Sequence, residues 1–443
     1  MSLKSIIKRL IGVKNIKIKS VKLNEDLENN PTSLYIYVEL YKRDKNKCTH
    51  CGKKLPGYDI ATVDRKWRCT DIDGIPIYLV YTLHRVNCPE HGIVVESVPW
   101  ALTGSRFSKN LEMTVAFLAA NMNKAAIAKY IGIDWATVGN IISRVKKTLE
   151  PDESLKYNNL VHIGIDETSY KKGHNYITTV VNLDNSTVIW AKTGHNKAVL
   201  SSFFDLLSPE QLSSIETVSC DGAKWITYCI NKYLPFAEKC IDSYHVVTWA
   251  NEALDEVRKD AYKTAKSTYL EEKNKQIEKG EKPKRGRPKK GTTRIVDGSK
   301  KILNSRFALW KNPDNLTNNQ EEKIALIKVT DNKLYRAYQL KEKLRLIFQL
   351  DDIDEVKEEL RKWLSWLQRC RIPSFVKLNK AIKENYDSII STKKHHISNA
   401  KVEALNGKIK QIVYRCRGFK NIDNLLDSVL FFCGGFNVVL PNR

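Results

Sequence analysis

The stretch from residue 158 to 243 constrains the fold more than any other part of this chain, because its apolar pattern changes type in a set order. Val161 to Asp166 reads as a strand. Tyr176 to Leu183 and Thr187 to Thr193 read as two more, flanking Asp184 and Asn185 as an imperfect hairpin turn. A helix is expected at about 197–207, a strand at 215–221, a helix at 223–233 and a short strand at 237–241. Strands paired first as hairpins and then alternating with helices predict a mixed sheet covered by helices.

The flanking regions differ in texture. Residues 1–35 are Lys- and Asn-rich, and residues 36–104 alternate β-type runs with turns, with strands expected at 35–40 and 75–83. Residues 106–150 are helical up to Pro151. From Val246 to about Ser391 the pattern is almost all helix, with Thr317 and Gln320 as a capping box. It is broken by the charged tract Lys273 to Lys301, which cannot form a core. Ser398 to Arg417 reads as a strongly patterned helix. A length of 443 residues suggests roughly three domains at about 150 residues each.

Charge narrows the partners. Lys plus Arg number 74 against 50 Asp plus Glu, a net +24 that points to a polyanion, either nucleic acid or an anionic membrane surface. No run of about 18 apolar residues is present to span a bilayer. The basic N-terminus lacks the apolar segment of a secretion signal. Ten cysteines in a chain of this size suggest a reducing compartment and metal binding, not a disulfide framework.

Four constellations carry chemistry. Cys48 with Cys51 and Cys88 with His91 are two pairs at ligand spacing, each followed by a turn glycine, Gly52 and Gly92. Together they offer the four donors of a tetrahedral structural zinc. The connecting loop is long, two unrelated reduced pairs are the alternative, and Cys69 is a rival ligand. Second, Ile127, Ala128, Ile131, Gly132, Ile133, Val138 and Ile141 have helix-turn-helix spacing, with Gly132 at the turn. The second helix is expected to expose Trp135, Thr137, Asn140 and Arg144 to bases or phosphates, against an ordinary helical hairpin as the plainer reading. Third, Lys284 to Lys290 contains Arg285-Gly286-Arg287-Pro288 and resembles an AT-hook able to lie in a narrow minor groove, or else is a solvated linker.

The fourth constellation is acidic. Asp166 is expected to end its strand, with Gly164 on its face and Ile163 and Ile165 on the other, so that Glu167 points away. Asp221 ends a second strand, and Gly222 leaves room beside it. Carboxylates at the ends of neighbouring strands can converge on hard cations. Glu403 lies on the late helix, whose apolar stripe is Val402, Leu405, Ile409 and Ile412. Asn399, Glu403, Asn406 and Lys410 share another face through spacings of four, three and four. That face suits a metal-bound phosphodiester, although isolated acids on helices are usually just solvated.

At these residues the chain resembles a bacterial insertion-sequence transposase of the ISL-three family. The resemblance runs from about residue 46 to the C-terminus. It rests on Ile163 to Glu167, Val218 to Gly222, Asp242 to Val247, Ala250 to Leu254, Ser398 to Asn406 and Arg415 to Asn421. Ala400 and Ala404 stand where Gly is expected, and His91 where Cys is commoner. The resemblance implies an α/β RNase H-like catalytic core with a large α-helical insertion, preceded by a zinc-binding β module and a helix-turn-helix. The corresponding boundaries are 1–104 for the zinc-bearing region, 105–150 for the helix-turn-helix, 158–245 and 392–443 for the core, and 246–391 for the insertion. It implies a triad of Asp166, Asp221 and Glu403 holding two Mg²⁺ (or Mn²⁺) ions, with Asp242 and His245 as accessory candidates.

The expected activity is DNA cleavage and strand transfer, with no covalent protein–DNA link. The expected partners are double-stranded DNA (terminal inverted repeats and target) and a second copy of the chain, with no membrane. The expected location is a bacterial cytoplasm, with nucleoid association when DNA-bound. The rival readings are a catalytically inactive transposase-derived regulator, a DNA-bundling protein and a recombinase with a Ser or Tyr nucleophile.

Overall fold

The computed structural model describes residues 3–150, 153–278, 299–397, 399–438 and 440. The AT-hook-like tract with Arg285 and Arg287 lies outside the described residues.

The N-terminal part starts with helix α1 (Leu3–Leu10) and seven strands: β1 (Ile16–Glu25), β2 (Pro31–Leu40), β3 (Gly57–Ile60), β4 (Arg65–Arg68), β5 (Ile77–Tyr81), β6 (His84–Cys88) and β7 (Gly92–Val95). They form a four-stranded sheet in the order β1-β2-β5-β4 and a small sheet β3-β6-β7. Ile16, Ile36, Trp67, Ile77 and Leu79 are the buried face of the larger sheet. Cys69 belongs to that core as well, and burial pushes its thiol up to about 11. It is not part of the cysteine–histidine cluster described below.

Helices α2 (Lys109–Ala119), α3 (Lys124–Ile131) and α4 (Trp135–Leu149) follow. The Asn123 side chain caps α3 by accepting from Ala126 N at 2.8 Å. Gly132 ends α3 in the left-handed region at φ 73°, where a side chain would be strained. Ile127, Ile131, Val138, Ile141 and Val145 meet Leu111 and Val115 of α2 in one core.

After α5 (Glu153–Lys156) come β8 (His162–Lys171), β9 (Asn175–Asn182), β10 (Thr187–Thr193), α6 (Lys197–Phe204), α7 (Pro209–Ser213), β11 (Thr217–Cys220), α8 (Lys224–Tyr233) and β12 (Glu238–Cys240). The sheet order is β10-β9-β8-β11-β12. The first three strands are antiparallel and β8, β11 and β12 are parallel. The mixed sheet expected from the sequence is therefore present. One expectation fails: Asp166 does not end its strand. Pairing with β9 continues through Asp166↔Thr179 and Thr168↔Ile177, which carries β8 on to Lys171.

A 36-residue helix, α9 (Ser243–Glu278), leaves the sheet after β12. It absorbs the first six residues of the charged tract, Lys273 to Glu278. Then follow α10 (Ser299–Leu303), α11 (Arg306–Trp310), α12 (Asn318–Thr330), α13 (Asn332–Ile347), α14 (Ile353–Arg369), α15 (Pro373–Glu384) and α16 (Tyr386–Lys394). The Thr317 N–H donates to the Gln320 side chain at 3.1 Å, and the two residues form the expected capping box. These helices own a separate core around Val246, Leu254, Leu334, Trp363 and Phe375. The insertion returns to where it left: α16 sends Ser391 and Lys394 to Glu238 of β12.

The chain closes with α17 (Ala400–Arg415) and α18 (Ile422–Cys433). Val402, Leu405, Ile409 and Ile412 pack on Ile177, Val181 and Val188 of the sheet, while α6 and α8 cover its other face. The helix-turn-helix docks on α18. Phe431 enters its core, and Asp427 accepts from Ser143 and Lys146 at 2.5 and 2.9 Å. No described helix is long and apolar enough to cross a membrane.

Candidate active site and metal centre

The two ligand pairs sit on turns because each needs a tight reversal. Gly52 and Gly92 adopt φ 70° and 68°. The ligand atoms of Cys48, Cys51, Cys88 and His91 all lie within 4.8 Å of one another. Cys51 Sγ is 3.7 Å from Cys88 Sγ, and His91 Nδ1 is 3.5 Å from Cys88 Sγ and 3.9 Å from Cys48 Sγ. A tetrahedral zinc with bonds of about 2.3 Å needs sulfur–sulfur edges of about 3.8 Å. The cluster is therefore compatible with a structural zinc. The Cys51 backbone N–H, with that of His50, holds the Cys48 thiol below its usual value and so favours a ligand's thiolate.

The helix-turn-helix exists, but α4 does not present the four expected residues together. At about 100° per residue, Trp135 lies about 180° around the helix from Arg144. Trp135 is 50% exposed and Asn140 is exposed, whereas Thr137 is half-buried. Arg144 turns inward and donates from Nε to the buried Glu112 at 2.9 Å, so its guanidinium is a structural partner and not a free DNA contact. Removing one member of a buried pair typically costs about 3–5 kcal/mol, because the other charge is left unpaired.

In the core, the parallel register runs Thr217↔His162 to Cys220↔Ile165. One residue further along each strand, Asp221 and Asp166 become neighbours, on strands about 4.8 Å apart. Asp166 Oδ1 accepts from Glu167 N at 2.7 Å, and Oδ2 accepts from Asn406 Nδ2 at 2.6 Å. Burial, and then the Asp221 charge, raise its carboxyl above the usual range. Glu167 is on the other side of the pleat but is not remote. Burial pushes its carboxyl up to about 7, helped by Asp221 and Asp166, and one of its oxygens is buried without a partner. The space beside Gly222 is taken: a Cβ there would meet Trp249 of α9 at 2.7 Å.

Helix α17 brings in the third acid's face. A Cβ on Gly164 would lie 2.6 Å from Val402, so glycine is what lets the helix sit this close to β8. Asn399, at the helix start, is 1% exposed. Its backbone N–H donates to Asp242, its Nδ2 lies 3.2 Å from His245 Nε2, and its Oδ1 accepts from Ser219 at 3.4 Å. Asp242 also accepts from Tyr244 N at 2.8 Å, so one carboxylate caps the starts of α9 and α17. Packing and bonding divide the work. The four apolar residues contribute about 1.5–3 kcal/mol each. Each hydrogen bond adds about 0.5–1.5 kcal/mol net and selects one orientation.

Glu403 lies between Asn399 and Asn406 on this face and is exposed, as is Lys410. The three acids are not gathered to ligand spacing: among the described residues the only such group is the cysteine–histidine quartet. Asn406 is 8% exposed and committed to Asp166, which replaces the direct DNA contact expected of it.

A family model described as Transposase matches residues 163–428, more than half of the chain. A second, the helix-turn-helix domain of transposase family ISL3, matches residues 96–145. The chain belongs to the ISL3 transposase family. It is 37% identical over 439 residues to a Mycobacterium tuberculosis protein, the transposase for insertion sequence element IS1557, covering 99% of this chain and 97% of that one. It is also similar to the transposase for insertion sequence element IS1001 of Bordetella parapertussis, at 23% identity over 378 residues, 84% and 85% of the two chains.

Within this ISL3 transposase, sequence reasoning set aside one residue of the site. Strand alternation turns Glu167 away, which says nothing of charge reaching around a strand's edge. Asn399 is on the polar face expected from spacing, but its bonds to Asp242, His245 and Ser219 had no signal in the sequence.

Proposed function

We propose that this transposase cuts DNA at the ends of an insertion sequence and joins the freed ends to target DNA, using Asp166, Asp221 and Glu403 to hold divalent cations. The observation that carries this reading is the Asp166–Asn406 bond. It ties the α17 face that also carries Glu403 to Asp166, whose strand pairs in parallel with the one that leads to Asp221. Three antiparallel strands followed by two parallel ones, with the acids on the central pair, support an RNase H-like core.

The acidic residues suit Mg²⁺ or Mn²⁺. Their donors are hard oxygens, and no described Lys or Arg forms an ion pair with Asp166, Glu167, Asp221 or Glu403. Asn406 Oδ1 is buried with no partner, a further oxygen on the side chain that donates to Asp166. Bound cations supply Lewis acidity at the scissile phosphodiester. Asn406 orients Asp166, and Asn399 seats the helix of Glu403. The proposed chemistry is hydrolysis at the element's end, leaving a 3′-hydroxyl that attacks a target phosphodiester in a second displacement. Neither step uses a protein nucleophile.

The helix-turn-helix, through Trp135, Thr137 and Asn140, would read the terminal inverted repeats, and Lys410 would contact phosphate. The Cys48–Cys51–Cys88–His91 quartet would hold zinc. Pairing two ends calls for two copies of the chain on DNA. The test is Mg²⁺-dependent nicking of a duplex carrying the element's terminal sequence. Asp166→Asn loses nicking and keeps binding; full activity in that variant refutes the assignment.

A further inference from the structure

Between the helix-turn-helix and the last turn of the core lies a cleft of about 770 Å³ that neither the acids nor the zinc quartet uses. One wall is Lys124 at the start of α3 and Trp135 at the start of α4. The other is Lys171 at the end of β8, Arg415 at the end of α17, and the segment after it with Arg417 and Lys420. No acidic residue lines it. Arg415 donates to the Ala120 carbonyl at 2.5 Å. Lys124, Lys171, Arg417 and Lys420 form no ion pair among the described residues. Lys124 stands 5.0 Å over the Phe419 ring, so an aromatic face carries a cation that burial leaves short of solvent. Cations alternating with the exposed Trp135 and the Phe419 ring match a backbone of phosphates and sugars better than a compact anion.

The cleft's position is as telling as its lining. It joins the start of α4 to the end of β8, the strand that holds Asp166. Tyr170, on its wall, is four residues beyond Asp166. That is about 13 Å at 3.3 Å per residue, or roughly four nucleotides at 3.4 Å each along one DNA strand.

We propose that this cleft holds the deoxyribose–phosphate backbone of the element's end, between the bases that α4 reads and the phosphate cut at the acids. The proposal rests on the reading above and assigns to Arg417 and Lys420 two phosphate contacts outside the helix-turn-helix.

The test uses the full chain and a duplex of the element's terminal sequence. Binding is measured by fluorescence anisotropy over a range of KCl. Each phosphate contact adds about 0.9 to the log–log salt slope. The double variant Arg417→Ala, Lys420→Ala should therefore bind more weakly and lose about 1.8 from that slope. The double variant Arg417→Lys, Lys420→Arg keeps the slope, which separates loss of charge from misfolding. A neutral methylphosphonate roughly four nucleotides from the cut should weaken the unaltered protein and leave the double-alanine variant unaffected. An unchanged slope, or a methylphosphonate penalty that adds to the double variant's, overturns the cleft alone. If the unaltered protein shows no preference for terminal duplex, the functional reading falls and takes the cleft with it.

Discussion

The quartet of Cys48, Cys51, Cys88 and His91 brings its ligand atoms within 4.8 Å, whereas Asp166, Asp221 and Glu403 do not close to that spacing. Both groups are rich in metal donors, so the difference lies in what the donors do without a metal. Thiols and an imidazole can be neutral, and each pair sits on a single short turn. The backbone can therefore assemble them at little electrostatic cost. Carboxylates are charged and repel one another. Asp221 already raises the Asp166 carboxyl, and Asn406, which approaches Asp166 across 240 residues, is an amide and not a cation. On the function proposed above, the acids would be completed by cations and DNA, whereas the quartet reaches ligand spacing on folding alone.

That contrast can be broken most directly at the acids. Asp166→Asn, Asp221→Asn and Glu403→Gln should each drop Mg²⁺-dependent nicking to background, while anisotropy shows terminal-duplex binding intact. Activity that survives Glu403→Gln and disappears in Glu167→Gln would move the third ligand to the neighbouring strand position.

Next in size is the quartet. Metal analysis of purified protein should find zinc bound, and Cys51→Ser should lose it and unfold the β3-β6-β7 module, seen as a new low-temperature transition in calorimetry. Structural zinc contributes directly to folding. A variant that lost zinc and melted unchanged would show the quartet to be packed without metal.

The approach of α17 gives a graded test. Gly164→Ala forces Val402, and Glu403 with it, away from β8. A misplacement of about 1 Å can cost about 10²-fold in rate. Terminal-duplex binding should be kept, and wild-type kinetics would show that α17 tolerates displacement. Asn406→Ala removes the bond that orients Asp166, and losses of about 10–100-fold are usual for such supporting contacts. Titration of activity against Mg²⁺ should show weakened apparent metal affinity, which a purely packing role would not produce.

The smallest effect comes from an acid that does have cationic neighbours. Lys394, with Ser391 and His395, holds Glu238 at about 2. A carboxyl depressed in the folded state adds stability above its unfolded value of 4.5 and loses it as pH falls through about 2. Glu238 is partly exposed, so the contribution is modest. Glu238→Gln should lower the melting temperature slightly at pH 7 and by less near pH 2. A difference that grew toward low pH would reverse the assignment.

Much of this was legible from short spacings. The two ligand pairs, the Gly132 turn, the hairpin-then-alternating strands and the amphipathic face of α17 all depend on residues a few positions apart, where helix and strand geometry alone decide what meets. The length of β8 was misjudged because β9 extends it, and Gly222 faces an indole from the helical insertion. Arg144 looked like a DNA contact because a cation on a recognition helix is ordinarily solvated; the buried Glu112 on α2 decides otherwise.

The order of strands and helices and the ligand spacing of the two cysteine-bearing pairs belong to local sequence, because periodicity and turn chemistry act within one element at a time. Tertiary structure decided how α17 lies on Gly164, that Asn399 and Asp242 pin its start, that Asn406 turns to Asp166 and that the helix-turn-helix rests on α18. These contacts join segments separated by roughly 150 to 300 residues. Only the packing of apolar faces, worth several kcal/mol per element, brings such segments within hydrogen-bonding reach.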